Sequence, residues 1–342
     1  MKQRIEWIDT ARGIGMLLVM FAHAPISNTL SKFIYAFHMP LFFFISGYLF
    51  NSNKYTNGAN FIKSKFKTLI MPFFVFSFVN SLFWLVLRRF SNHSGISVYK
   101  PFLGMFVAIR GTDWTVCQAT LWFVAALFMA ELIFYFTLHV TKSTRYLIII
   151  LICYSIIGCA YSRFVHVSLP WSIDVSFVGI LFFGIGYLIR QNNIFETYKI
   201  VKVSLLPVYV LLWIVIAWLN SNISMFSGVY GNYILFYLSA IAGVFAFIIL
   251  CKNIKLVRFI TYIGENTFVF LAFHQYIIYS ILNRIFNKVV VMNSNNFIIV
   301  NSIGLLYVII ATLMLIPTSY VIKKYFPFIL GSTSQKKLSI TH

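Results

Sequence analysis

The sequence predicts an all-α integral membrane protein, a bundle of about ten transmembrane helices with both termini cytoplasmic. Three observations carry this. Hydrophobic types make up 60% of the 342 residues and charged types only 10%, where a soluble domain has about 45–50% apolar and about 25% charged residues. The mean hydropathy is +0.86. The apolar residues also fall in runs that approach the ~20 residues a helix needs to cross a hydrocarbon core. A soluble enzyme, a disordered chain and a nucleic-acid binder are excluded. The net charge of +20 would suit the last, but Lys and Arg are scattered between the apolar runs and form no single basic face.

The predicted spans, in order, are 12–28, 33–50, 69–87, 118–138, 146–161, 172–189, 203–220, 231–251, 266–283 and 298–322. The first is preceded by polar residues and does not read as a cleaved signal peptide. With the N-terminus inside, only Lys32, Arg88, Arg89, Lys100, Arg110, Arg163, Arg284 and Lys288 of the 27 Lys and Arg fall outside, as the positive-inside rule requires. Most of the basic residues therefore anchor helix ends to membrane lipid. No polar linker divides the chain. Residues 1–342 read as one membrane domain, with spans within about 12–322 and a short basic cytoplasmic tail from 323 to 342. Cys117, Cys153, Cys159 and Cys251 show no CxxC and no metal-ligand spacing, so no metal is expected.

Titratable side chains inside spans are expensive and mark function. Those here are Arg12, His23, His38, Glu131, Asp174 and His274. His23 lies eleven residues after Arg12, about 16 Å along a helix and roughly 20° past three full turns. The two share one face, Arg12 at the inner mouth and His23 beyond mid-membrane. His38, on a span running the other way, falls near the depth of His23. Glu131 sits in the inner half of its span and His274 near the middle of its own. The two histidines, joined by Glu131, are expected to meet in one cavity. The bland alternative for each is a backbone hydrogen bond. Pro40 is expected to open the helix, and His38 would satisfy a carbonyl freed there. Asp9, three residues before Arg12, is placed to cap the helix and pair with it.

The same residues carry a family resemblance. Arg4-Ile-Glu-Trp-Ile-Asp9-Thr-Ala-Arg12-Gly13-Ile-Gly15, followed by Phe21-Ala-His23, resembles the opening of acyltransferase family 3, whose hallmark is Arg, ten residues, then His. Phe37-His38-Met39-Pro40-Leu41-Phe42-Phe43-Phe44-Ile45-Ser46-Gly47-Tyr48 is very similar to the family's second-span signature. Leu121-Trp122-Phe123, Phe183-Gly184-Ile-Gly186-Tyr187 and Ile263-Gly264-Glu-Asn266-Thr267 with His274 recur at the expected places. The stretch from Pro170-Trp171 through Asp174 to Tyr187 looks most like the fucose 4-O-acetylase-like subgroup. One departure stands out. Where many relatives carry Arg-x-x-Arg before the third span, Lys65 and Thr68 stand here, so positive charge survives without bidentate geometry. The esterase-like domain fused to some relatives is not found in this sequence, so transfer would be completed alone or with separate glycan-assembly proteins.

The resemblance implies a membrane O-acyltransferase of the bacterial cytoplasmic membrane. It would move an acyl group, most commonly acetyl, from cytoplasmic acyl-CoA (acetyl-CoA) to a hydroxyl of a cell-surface or lipid-linked glycan such as O-antigen, capsule or exopolysaccharide. The donor's phosphates would dock among Arg12, Lys63, Lys65 and Lys67, and its pantetheine arm would thread the bundle. His23 would act as the base, with an acyl-histidine relay as the competing route. His38 would stabilise the oxyanion or bind the acceptor. Glu131 would orient a histidine or bind sugar hydroxyls. Asp174, His274 and Trp122 would meet the sugar. The rival from another class is a non-catalytic exporter of a polysaccharide or lipid-linked sugar. Against it stands the Arg12–His23 pair joined to a cytoplasmic lysine cluster, since a transporter needs no coenzyme dock.

Overall fold

Glycines on helix faces set how this bundle closes. An added Cβ on Gly47 would collide with the Phe183 carbonyl, and one on Gly186 with the Phe44 carbonyl. The His38–Leu49 and Ile173–Gln191 helices therefore cross with backbones in contact. Gly13 and Gly264 do the same for the Glu6–His23 and Arg258–Glu265 helices, meeting the Ile260 and Asp9 carbonyls. In lipid, where apolar surface gains nothing by leaving water, such close backbone packing is what holds helices together.

The computed structural model describes residues 5–88, 95–141, 143–255, 257–289 and 296–331. Arg4, Arg89 and most of the predicted tail lie outside the described residues. Among those described, the only β pairing is an isolated bridge between Ser224 and Val229. Eight helices are long and apolar enough to cross a membrane: Asn28–Leu49, Gly58–Leu87, Trp122–Val140, Thr144–Phe164, Pro170–Gln191, Tyr233–Asn253, Thr267–Phe286 and Phe297–Tyr325. Two helices coincide with the other two predicted spans. Val203–Leu219 is apolar but short, with Leu211, Val215 and Trp218 turned outward. Glu6–His23 carries Glu6, Asp9 and Arg12.

That charged first helix sits at the centre. It touches the helices that start at His38, Tyr233, Arg258, Thr267 and Phe297, and buries Ala11, Met16, Val19 and Met20. A helix enclosed by protein escapes the lipid cost that would bar its charges. It ends at His23 rather than at 28, because Ala24 leaves the helical conformation and Pro25 follows.

The second predicted span is broken. One helix covers Asn28–Tyr35 and the next His38–Leu49. The break falls at Ala36-Phe37, so Pro40 lies in a first helical turn, where its missing N–H costs nothing. The third span is extended to Gly58–Leu87, with a π-helical stretch at Phe66–Ile70 shortly before Pro72. Between that helix and Trp122 lie two short elements absent from the prediction, Tyr99–Val107 and Asp113–Gln118.

Candidate active site

Four helices each lend one stripe of side chains to a common passage. On the first helix the stripe is Arg12, Met16, Val19 and His23, at the three-and-four spacing of a helix face. Facing it are Met39, Phe42 and Ser46, then Phe123, Leu127 and Glu131, then Thr267, Leu271 and Gln275. Three cavities follow one another between these stripes. The first, about 450 Å³, is lined by Arg12, Lys54, Lys65, Glu131 and Glu265, with Leu330 brought in by the turn that follows the last helix. The second, about 100 Å³, is an apolar neck of Met16, Met39, Phe42, Phe123, Val124 and Leu127. The third, about 150 Å³, holds His23, Tyr35, His38, Thr120, Trp122 and Gln275. Arg12, Ser46, Leu69, Leu127, Thr267 and Phe268 line both the first cavity and the neck. Val19, Met39 and Leu271 line both the neck and the histidine chamber. A further cavity of about 770 Å³, with Asp9, Tyr48 and Arg190, shares Arg12, Leu49, Phe50 and Asn51 with the first.

In the chamber, His23 Nδ1 lies 3.0 Å from His274 Nε2. His274 is fully buried behind it, while His23 keeps accessible surface. His38 donates from Nδ1 to the Ile34 carbonyl at 2.8 Å. That carbonyl belongs to the last turn before the break and also accepts from the Phe37 N–H at 3.2 Å, so the histidine adds a second hydrogen bond at the broken helix end. The Tyr35 ring lies 6.5 Å from that of His23 and 5.0 Å from that of His38. Thr120 is 2% exposed, and its hydroxyl has no hydrogen-bond partner.

The loop carrying Ser224, Met225 and Phe226 also lines the chamber. Phe226 packs edge-on against Trp122 at 6.2 Å. Arg110 fixes that loop: its Nε donates to the Phe226 carbonyl at 2.5 Å, and its two terminal nitrogens grip Asp174 at 2.7 and 2.5 Å.

The predicted residues divide accordingly. His23, His38 and Trp122 line one chamber, with His274 directly behind His23. Glu131 does not join them. It lies in the first cavity, its carboxylate 2.8 Å from Lys65 Nζ, about two and a half helical turns from Trp122 in the chamber wall. Asp174, expected to meet the sugar, spends both carboxylate oxygens on Arg110. Of the three lysines only Lys65 lines the first cavity; Lys63 is exposed and Lys67 is not among the lining residues. Lys54 joins Arg12 and Lys65 there. Sequence reasoning missed Lys54, Arg110, Thr120 and Gln275. For Arg110 a signal existed, since a carboxylate placed in an apolar span demands a cationic partner. Among the described residues, no group of three or more His, Cys, Asp or Glu is arranged to hold a metal ion.

A row of cavities that begins at an Arg, ends at a His eleven residues further on and lies inside a helical membrane bundle matches the sequence signature. The model of acyltransferase family 3, described as an acyltransferase domain, matches residues 5–324. The chain is a member of that family. No curated protein and no solved structure matches it. It is thus a multi-pass membrane acyltransferase, and the Arg12–His23 stripe that marks this acyltransferase in sequence is one wall of the passage through it.

Proposed function

We propose that this membrane acyltransferase moves an acyl group, acetyl in the first instance, from acyl-CoA to a hydroxyl of a cell-surface or lipid-linked glycan. The observation that carries the reading is the row of three adjoining cavities, sharing lining residues, from the Arg12 and Lys65 cavity to the His23 chamber. A coenzyme A thioester matches it part by part. Its anionic nucleotide suits the wide cavity with Arg12, Lys54 and Lys65. Its thin arm suits the apolar neck. Its thioester then arrives near His23, about 16 Å along the helix from Arg12. In this reading the Arg12 end faces the cytoplasm of a bacterium, where the donor is made, and the glycan enters from the other side.

In the chamber, the acceptor oxygen bonds to the thioester carbonyl carbon as its proton passes to His23. The carbonyl oxygen takes up negative charge, and the donor assigned to it in this reading is the Thr120 hydroxyl, which is buried beside the chamber without a hydrogen-bond partner. On collapse the C–S bond breaks, the proton moves from His23 to the leaving sulfur, and an ester and free coenzyme A remain. His38 donates from Nδ1 to the Ile34 carbonyl, which leaves its other nitrogen an acceptor in the neutral ring. Its role is therefore to receive a hydrogen bond from an acceptor hydroxyl, not to stabilise the oxyanion. Trp122 and Phe226 present the aromatic surface for a sugar ring.

Membranes containing the protein, incubated with acetyl-labelled acetyl-CoA, should pass label to glycan. Surface glycan from cells without the gene should be lighter by one acetyl group at one hydroxyl. Glycan of unchanged mass together with no label transfer would end this reading, and glycan flux without label transfer would favour export.

A further inference from the structure

The contact between His23 and His274 determines more than proximity. His274 Nδ1 lies 2.8 Å from the Phe270 carbonyl oxygen. A carbonyl only accepts, so Nδ1 carries the proton, and in the neutral ring Nε2 is then a bare acceptor. That Nε2 is the atom 3.0 Å from His23 Nδ1. Two bare nitrogens would repel at this distance, so His23 carries its proton on Nδ1 and donates. The nitrogen left with a lone pair is His23 Nε2, on a ring that lines the chamber.

We propose that His274 is a positioning residue: the chain from His23 through His274 to the Phe270 carbonyl holds His23 in the one tautomer whose Nε2 is a base. The fold enforces it. His274 is fully buried and opens the π-helical stretch His274–Tyr279. Tyr279 from that stretch lies edge-on to the His274 ring at 5.7 Å. Its hydroxyl donates to the Met20 carbonyl of the first helix at 2.8 Å, which ties the π-helical stretch to the helix that carries His23. A partner that fixes an imidazole's tautomer acts on the chemical step without touching substrate.

The consequence for rate rests on the acyl-transfer reading; the tautomer itself does not. It is read by solid-state ¹⁵N NMR of histidine-labelled protein in lipid, with His23→Ala supplying the assignment. The expected wild-type spectrum has His23 protonated on Nδ1 and bare on Nε2. His274→Leu should mix the tautomers and lower kcat for thiol release from acetyl-CoA in native membranes by about 10–10⁴-fold, the range seen for partners that hold a functional imidazole. KM for acetyl-CoA should stay near wild type. His274→Gln, whose amide accepts from His23 and donates to Phe270, should restore both the spectrum and most of the rate. A wild-type His23 protonated on Nε2 would overturn the proposal, as would a His274→Leu protein with unchanged tautomer and unchanged kcat. A wild-type protein that shows the Nδ1–H tautomer yet turns over no acetyl-CoA would sink the acyl-transfer reading and leave the tautomer assignment standing.

Discussion

Arg110 and Asp174 face each other as a bidentate ion pair, 4% and 3% exposed, with their closest atoms 2.5 Å apart. Arg110 also holds the Phe226 carbonyl, so one guanidinium joins the Ile173–Gln191 helix to the loop over the histidine chamber. A buried pair of this kind is costly to break from one side, because the survivor stays charged without a partner. Asp174→Asn should therefore destabilise the protein by about 3–5 kcal/mol, seen as a lower thermal midpoint in detergent. Arg110→Lys, which keeps charge and loses the two-pronged geometry, should cost less. An unchanged midpoint in Asp174→Asn would show that the pair does not hold the loop.

His23→Ala should reduce acyl transfer by about 10²–10⁴-fold, the contribution of a positioned general base. The variant should accumulate in the membrane as the wild type does, since His23 keeps accessible surface and leaves no large cavity when truncated. Label transfer from acetyl-CoA to glycan, normalised to protein amount, measures this. Transfer at the wild-type level would remove His23 from the chemistry.

Lys65 is the lysine of its cluster that lines the first cavity. Its removal alone would strand the Glu131 carboxylate, so the informative variant is Lys65→Ala with Glu131→Gln. KM for acetyl-CoA should rise about fivefold at low salt, the equivalent of about 1 kcal/mol for a partly exposed charge contact. The difference from wild type should shrink as salt screens the attraction. Lys63→Ala, on an exposed position outside the cavity, should leave KM unchanged. Equal effects at the two lysines would place the phosphates elsewhere.

Val124 lines the neck and is 3% exposed. Val124→Phe adds bulk where the cavity is only about 100 Å³, and overpacking such a site costs typically 1–3 kcal/mol. Binding of adenosine 3′,5′-bisphosphate, a probe of the first cavity alone, should be retained, while acyl transfer from acetyl-CoA falls at least about tenfold. Unimpaired transfer would mean that the thioester reaches His23 by another path.

Several of these relationships were legible before the structure, and others were not, for physical reasons. That Arg12 and His23 share a face follows from eleven residues of helix and nothing else. His38 was expected to serve a carbonyl freed by Pro40; it bonds the Ile34 carbonyl instead, which also accepts from the Phe37 N–H, and the break lies at Ala36-Phe37. The meeting of His23 with His274 spans 251 positions, and no periodicity encodes a contact at that range. Glu131 illustrates the same limit: it was expected to orient a histidine or bind sugar hydroxyls, and only the fold brings its carboxylate to 2.8 Å from Lys65 Nζ.

The sequence by itself determined the solvent of this protein, most of the helices that lie in it and the residues too costly to leave there without purpose, because the price of burying charge in hydrocarbon is a local property of each run. Only the tertiary structure decided which of those residues meet. Close glycine crossings fix the pairing of His38–Leu49 with Ile173–Gln191 and of Glu6–His23 with Arg258–Glu265, and the packing of the remaining helices around them turned four separate stripes toward common cavities, brought Glu131 to Lys65 and Asp174 to Arg110, and left His274 behind His23.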